Sequence, residues 1–255
     1  MGNKALITVV VPSYNQGDFL DKCLTSIFCQ NLPLEVFVMD GGSTDNTIDV
    51  IKKWESKIQK WRSCADDGQS AAINEGIKWG TAPYCCWLNS DDFFLNDALN
   101  VLVKSMIQNP GIPVSYGQVY NLIDKNNSMK PIWVEPFSKK RLSIRCIISQ
   151  PGTLIRRNVW ESVGGVDTNL HMSMDYDLWW RIYKTFGDFH YVQDFVAVNR
   201  DHLNTKTNSN RFLHYKESIS IVKKYYGRVP LKWIIAQPYS VWFKFLVNYF
   251  GQLLK

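Results

Sequence analysis

The 255-residue chain has no C-x-x-C pair and no histidine at zinc-finger spacing from its six cysteines, Cys23, Cys29, Cys64, Cys85, Cys86 and Cys146. That argues against a zinc ribbon or a dithiol redox centre, and the apolar runs around most of these residues read as reduced core cysteines. Neither G-x-G-x-x-G nor G-x-x-x-x-G-K-[ST] occurs, which argues against a dinucleotide Rossmann site and against a P-loop. There is no internal repeat and no low-complexity stretch. The chain lacks the several long apolar runs of a multi-span membrane protein. Met1-Gly2-Asn3-Lys4 leads into an apolar stretch of only about seven residues without a small-residue cleavage site, so a secretory signal is not expected and the body is expected to be cytoplasmic. Charge is also scarce, at 20% of residues.

Apolar residues make up 45% and aromatic residues 14%, with ten tryptophans, enough for one sizeable core and unlike a disordered chain. The 29 basic and 23 acidic side chains leave a net charge of +6. Residues 1–199 carry 19 basic and 21 acidic groups, a balance of −2, whereas residues 200–255 carry 10 and 2, a balance of +8. A slightly acidic body is a poor surface for a phosphate backbone and a natural one for a divalent cation, so no nucleic-acid partner is expected.

Ala5 to Pro12 is a continuous β-branched run of the kind a strand buried on both faces produces, and it stops at Pro12-Ser13-Tyr14-Asn15. Leu20, Leu24, Ile27 and Phe28 follow at helical spacing. Leu34 to Met39 then gives a second buried strand ending at Asp40-Gly41-Gly42. A helix from about Asn46 to Trp61, a short strand before Asp66, a helix from near Ser70 and a strand Tyr84 to Leu88 complete an alternating half. This pattern predicts an open, mostly parallel α/β sheet flanked by helices. Ligands of such sheets bind outside the carboxyl ends of the strands, where this chain places Pro12 to Asn15, Asp40, Asp66 and Asp91-Asp92. From about Gly111 the pattern loosens into strands near Val114 to Val119, Met129 to Val134 and Thr153 to Arg156, a helix from Asp175 to about Phe186 and a strand near His190 to Val198. The expected layout is a body of residues 1–222, with halves 1–110 and 111–222, and a tail of residues 223–255.

In order along the chain, VVVPSYNQGDFLDKCLTSIFCQ, VMDGGSTDNT, ADDGQSAAINEGIKWG, LNSDDFF, QPGTLIRRNVWESVGGVD and MDYDLWWRI closely resemble the family 2 glycosyltransferases with the GT-A fold. The resemblance runs from residue 5 to about residue 205. It implies a nucleotide-sugar-binding half fused to an acceptor-binding half and an inverting transfer from a nucleoside-diphosphate sugar, UDP or dTDP, to a hydroxyl. Asn89-Ser90-Asp91-Asp92 resembles the D-x-D element, in which carboxylates hold Mn²⁺ or Mg²⁺ against the diphosphate, a task suited to hard oxygen ligands. On this resemblance Asp92 is the direct metal ligand and Asp91 contacts the ribose or the surrounding shell. Read alone, the same letters would be an Asp cap on a helix beginning at Phe93.

The resemblance assigns Asp40 to the nucleoside and Asp66, with Asp67 as the adjacent alternative, to the imide N–H of a uracil or thymine. Pro12, Ser13, Tyr14 and Asn15 become the first nucleotide-contacting turn, with Tyr14 reading equally as core, and Ser70 and Asn74 match positions on the helix after Asp66, where simple capping is the competing reading. Asp175 holds the place of the catalytic base, with Met174 standing where many members have Glu. On a helix Asp175 shares a stripe with Leu178, Trp179 and Ile182, while Asp177 lies about 160° from its centre. Trp179 and Trp180 read either as sugar platforms or as core. Gln150-Pro151-Gly152 and Gly164-Gly165-Val166-Asp167 are expected to shape the acceptor side. Arg200 and His202 resemble the arginine and histidine after the last strand, placed to contact the diphosphate, with His202 completing the metal shell. The Q-x-x-R-W signature of processive synthases is absent, which favours single-sugar addition to a lipid-linked saccharide of a surface polysaccharide. The rival reading is a catalytically silent nucleotide-sugar-binding subunit. A nucleotidyltransferase would need a glycine-rich basic loop after the first strand, and PSYNQGDF contains no Lys or Arg.

Residues 229–254, VPLKWIIAQPYSVWFKFLVNYFGQLL, carry Ser240, Lys244, Asn248 and Gln252 as a narrow polar stripe after Pro238. With Lys223, Lys224, Arg228 and Lys232 before them, they predict an amphipathic helix on an anionic membrane, so that the protein sits peripherally on the cytoplasmic face. Packing of this helix on the body or on a second subunit is the alternative, which leaves a homo-oligomer open.

Overall fold

The structure is a computed structural model that describes residues 4–123, 125, 127–202 and 210–237. Strand β1 (Ile7–Ser13) leads into α1 (Gly17–Phe28), β2 (Leu34–Asp40), α2 (Thr47–Trp54), β3 (Lys60–Ser63), α3 (Gln69–Trp79) and β4 (Tyr84–Trp87). The second half contains β5 (Phe93–Phe94), α4 (Ala98–Gln108), β6 (Val114–Ile123), β7 (Ser128–Pro131), α5 (Lys139–Ile144), β8 (Thr153–Arg156), α6 (Arg157–Val163), α7 (Met174–Phe186) and β9 (His190–Asp201). Two C-terminal helices follow, α8 (Arg211–Tyr226) and α9 (Leu231–Gln237).

One sheet joins both halves in the order β3-β2-β1-β4-β8-β6-β9-β5, with β7 on β6. The first four strands are parallel. Beyond β4 the pairing is mixed: β8 is antiparallel to β4 and β6, β9 is parallel to β6, and β5 is antiparallel to β9. Helices cover both faces, which explains the unbroken apolar run of β1. Val10 enters one core with Met39, Ile73 and Trp87, while Val9 and Val11 enter the other with Leu20, Leu24 and Val38.

The helix expected to continue to Trp61 stops at Trp54, because Trp61 is needed in β3 opposite Val38. No glycine or proline marks that break, so the pattern runs past it. Asp91-Asp92 does not cap a helix: the short strand β5 comes next, and α4 begins only at Ala98. Helix α5, six residues long, is too short to show a periodicity in the sequence, although Ser138 caps it by accepting the Arg141 N–H. Cys23, Cys85 and Cys86 are buried, whereas Cys29 and Cys64 are exposed, and all six thiols are free.

Helix α8 continues past residue 222, with Tyr225 and Tyr226 against Trp180. The Trp233 indole of α9 donates to the Ser143 carbonyl on α5 at 2.8 Å, leaving Leu231, Ile234 and Ile235 exposed. The helix expected after Pro238 lies outside the described residues. No described helix is long and apolar enough to cross a membrane.

Candidate active site

The turns after β1 and β2 are knitted together by their own side chains. Asn15 adopts a left-handed φ of 52°, and its N–H donates to Ser43 Oγ at 2.7 Å while its Oδ1 accepts from Thr44 N–H at 2.9 Å. Gln16 and Gly17 donate to Thr47 and Asp45 in turn. Asp40 lies below this weave with no exposed surface. Its Oδ2 accepts from Gly42 N–H, Ser43 N–H and Ser63 Oγ at 3.0, 2.9 and 2.6 Å, and its Oδ1 from Ser43 Oγ at 2.5 Å. The carboxylate is therefore satisfied by the turn it organises.

Beside it Tyr14, Gly41 and Asp66 form a strip of surface. Tyr14 is 61% exposed. A Cβ at Gly41 would come within 3.3 Å of the Tyr14 ring and 3.7 Å of both Asp66 carboxylate oxygens, so the missing side chain keeps the strip clear. Arg62 holds Asp66 Oδ2 at 2.9 Å and Gly68 N–H holds Oδ1 at 2.9 Å. Pro12 is buried, and so is Ser13, whose Oγ has no partner among the described residues.

Asp91 and Asp92 differ in what they face. Asp92 is 2% exposed; its Oδ1 accepts from the Arg200 N–H at 3.0 Å and its Oδ2 from Asn89 Nδ2 at 3.2 Å. Burial first and the Asp91 charge second push its carboxyl well above the usual carboxylate range. Asp91 Oδ2 instead lies 3.1 Å from His202 Nε2. Arg200 donates through Nε to the Asp91 carbonyl at 3.2 Å, and both its guanidinium and the His202 ring rest on Phe19, at 4.9 and 4.8 Å. Among the described residues no three His, Cys, Asp or Glu side chains form a metal-holding group. The Asp91 carboxylate beside the His202 imidazole still suits a hard cation that takes its remaining ligands from a diphosphate.

Ser70 and Asn74 face the second half. The Ser70 hydroxyl reaches the Leu170 carbonyl at 3.3 Å and the Met174 sulfur. Asn74 donates to the Val166 carbonyl at 2.8 Å and accepts from its N–H at 3.0 Å. Gly165, at φ 71°, leaves the room: a Cβ there would fall 2.3 Å from Asn74 Oδ1. These contacts bring the start of α7 to the start of α3.

Asp175, in the first turn of α7, is half-buried, and its Oδ1 accepts the Tyr176 N–H at 2.7 Å. Burial pushes its carboxyl up to about 6, against the backbone hydrogen bonds that favour the ionised form. Asp177 departs from its expected outward position and is 1% exposed, because α8 covers that face. It accepts from Arg181 Nε at 2.6 Å and from the Tyr225 hydroxyl at 2.8 Å. Trp179 and Trp180 are both fully buried, so neither is a sugar platform. Phe19 and Gln69, which donates to Asn89 Oδ1 at 2.7 Å, support the site although neither carries a sequence signal for it. Phe19 reads simply as one more apolar residue of α1.

The sequence model described as Glycosyl transferase family 2 matches residues 8–163. The chain belongs to glycosyltransferase family 2. A relative described as an uncharacterized glycosyltransferase, from Rickettsia felis, is 26% identical over 232 residues, covering 85% of this chain and 37% of its own length. The chain thus spans well under half of that relative. Among solved structures, S. aureus TarS 1-349 in complex with UDP-GlcNAc superposes with a TM-score of 0.69 at 16% identity, over 86% of this chain and 66% of that one. The mannosyltransferase PcManGT from Pyrobaculum calidifontis, in complex with GDP-Man and Mn²⁺, gives 0.69 at 17% identity, over 100% and 77%. Both likenesses establish the shared GT-A fold.

Proposed function

We propose that the protein is an inverting, metal-dependent glycosyltransferase that moves one sugar from a UDP- or dTDP-sugar to a hydroxyl of a lipid-linked saccharide in surface polysaccharide synthesis. The observation that carries this reading is the meeting of Asp91 and His202, 111 residues apart in sequence, beside the end of β4. The strip between Tyr14 and Asp66 suits a flat heterocycle that donates an N–H, and the UDP-GlcNAc and GDP-Man complexes of the structural neighbours support a nucleotide-sugar donor. Asp40 acts in this reading by fixing the turn beneath the nucleoside. Ser70 and Asn74 space the two halves, and Pro12, Ser13 and Asn15 form the floor.

Asp91 and His202 would hold Mn²⁺ or Mg²⁺, and Asp92, with both oxygens engaged, would hold the end of β9 in place. When bound, the cation supplies charge neutralisation for the diphosphate. Arg200 adds a fixed positive charge beside it. Asp175 takes the proton of the acceptor hydroxyl; that oxygen bonds to the anomeric carbon as the bond to the diphosphate breaks, and its electron pair leaves with the nucleoside diphosphate. A carboxylate with its pKa raised to about 6 is ionised at neutral pH yet more basic than a free one. A single such carboxylate suffices for inversion, because no glycosyl-enzyme intermediate forms.

The body extends in this reading to Gly227, where α8 ends, and α9 begins a membrane-facing tail. Exposed Leu231, Ile234 and Ile235 beside exposed Lys223, Lys224, Arg228 and Lys232 support an anionic lipid surface as its partner, on the cytoplasmic face of the membrane. Incubation with UDP-, dTDP- and GDP-sugars, Mn²⁺ or Mg²⁺, and lipid-linked acceptor tests the enzyme. Release of one nucleoside diphosphate dependent on metal and acceptor is expected, and binding without release under any combination would instead favour a silent nucleotide-sugar-binding subunit.

A further inference from the structure

Helix α7 begins without a cap of its own. Its N-cap residue, Ser173, makes no side-chain bond to the helix, and that hydroxyl turns instead to Ser218 Oγ at 3.0 Å and the His214 carbonyl at 3.3 Å on α8. The backbone before the helix is gripped from the same place. Glu217 Oε1 accepts from the His171 N–H at 3.1 Å, and Oε2 accepts from Met172 N–H and Ser173 N–H, both at 2.9 Å. One carboxylate thus satisfies three consecutive amides, two residues ahead of Asp175. It is also the only acidic group of the region after Asp201. Bonds from amides to a charged acceptor are among the stronger ones, and three on one side chain fix orientation as well as distance. Ser173 and Ser218 are almost fully buried, whereas His171 and its bond to Glu217 stand at the exposed edge of the joint.

We propose that Glu217 is the positioning residue of the catalytic base: by clamping residues 171–173 it sets where the Asp175 carboxylate stands relative to the acceptor hydroxyl. The inference rests on Asp175 being the base. It makes α8, which lies beyond the segment 8–163 matched by the family, a working part of the site. Glu217 touches none of Tyr14, Asp66, Asp91 or His202, so donor binding does not depend on it.

The test measures kcat and donor KM for Glu217→Ala and Glu217→Gln with the donor and acceptor identified by nucleoside diphosphate release, alongside circular dichroism and Tm. Because a displacement of about 1 Å at a reacting group costs on the order of 100-fold, Glu217→Ala is expected to lower kcat 10- to 100-fold with donor KM within twofold of the parent. Glu217→Gln retains one acceptor oxygen but presents an NH₂ to an amide N–H, and falls between the two. On the residual rate of Asp175→Asn, adding Glu217→Ala is expected to cost nothing further, since both changes remove the same function. A folded Glu217→Ala or Glu217→Gln protein with unchanged kcat overturns the proposal. So does a Glu217→Ala loss that appears in full on the Asp175→Asn background. If Glu217→Ala does not fold, Glu217→Gln and its double variant decide by the same criteria. Full transfer by Asp175→Asn alone sinks the base assignment instead, which separates the two failures.

Discussion

The strand-end turns proposed to hold the donor and the helix start proposed to face the acceptor are built on different plans. Among the strand-end turns, Asp40 bonds Gly42 and Ser43 and Asp66 bonds Gly68, all close in sequence, whereas Asp92 and Asp91 are reached by Arg200 and His202, 108 and 111 residues on. On the acceptor side Asp175 sits at a helix start held by Ser70 and Glu217, 104 residues before Met174 and 44 residues after Ser173 respectively. A locally closed turn keeps its shape when its surroundings change, whereas a remotely held one inherits every change in its supports. The Asp40 and Asp66 turns are therefore the robust part of the proposed site, and the Asp91-Asp92 turn and the start of α7 the tunable parts.

The sharpest test of that contrast is Asp175→Asn. It is expected to lower kcat by about 10²–10⁴-fold, the usual worth of a positioned general base, with donor KM little changed in a steady-state assay. Next, Asp91→Asn should weaken Mn²⁺-dependent donor binding by about 100-fold in calorimetry, the several kcal/mol expected of a cation on a diphosphate. Asp92→Asn should cost mainly Tm, and the reverse ranking would return the metal contact to Asp92. Tyr14→Ala should raise donor KM about tenfold, since stacking a base on an aromatic ring is worth about 1–3 kcal/mol.

The smallest effects come from titration. The base must be ionised, so kcat is expected to fall below pH 6 with an inflection set by the raised carboxyl of Asp175. Its folded value of about 6 lies above the ordinary 3.8, so its contribution to stability is present below pH 3.8 and lost as pH rises through 6. Asp175→Asn should accordingly raise Tm by a few degrees at pH 7.5, about what 1 kcal/mol confers on a domain of this size, and by almost nothing at pH 4. A raised Tm at both pH values would trace the stabilisation to packing instead of charge.

The same contrast explains what could be read from the sequence. Strand ends on the donor side announce themselves, because an apolar run followed by Asp-Gly-Gly or Asn-Ser-Asp-Asp is a local pattern. The approach of His202 to Asp91 needed the family resemblance, since nothing in periodicity pairs residues across the whole sheet. Glu217 left no signal: an isolated acid in a basic helix looks like an ordinary surface charge. The inward turn of Asp177 was hidden for a related reason, because the stripe on α7 shows which face is most apolar and not that α8 buries a second one.

The Asn74 amide offers Val166 one donor and one acceptor, the same pair that a neighbouring strand would present. It acts as a single rung of β-ladder between a helix and a loop that could never pair through their backbones. With that rung in place and the sheet continuous across the midline, the two halves of the chain are joined by a side chain as well as by strands. The spacing between the start of α3 and the loop ahead of α7 is thereby measured out by one amide side chain.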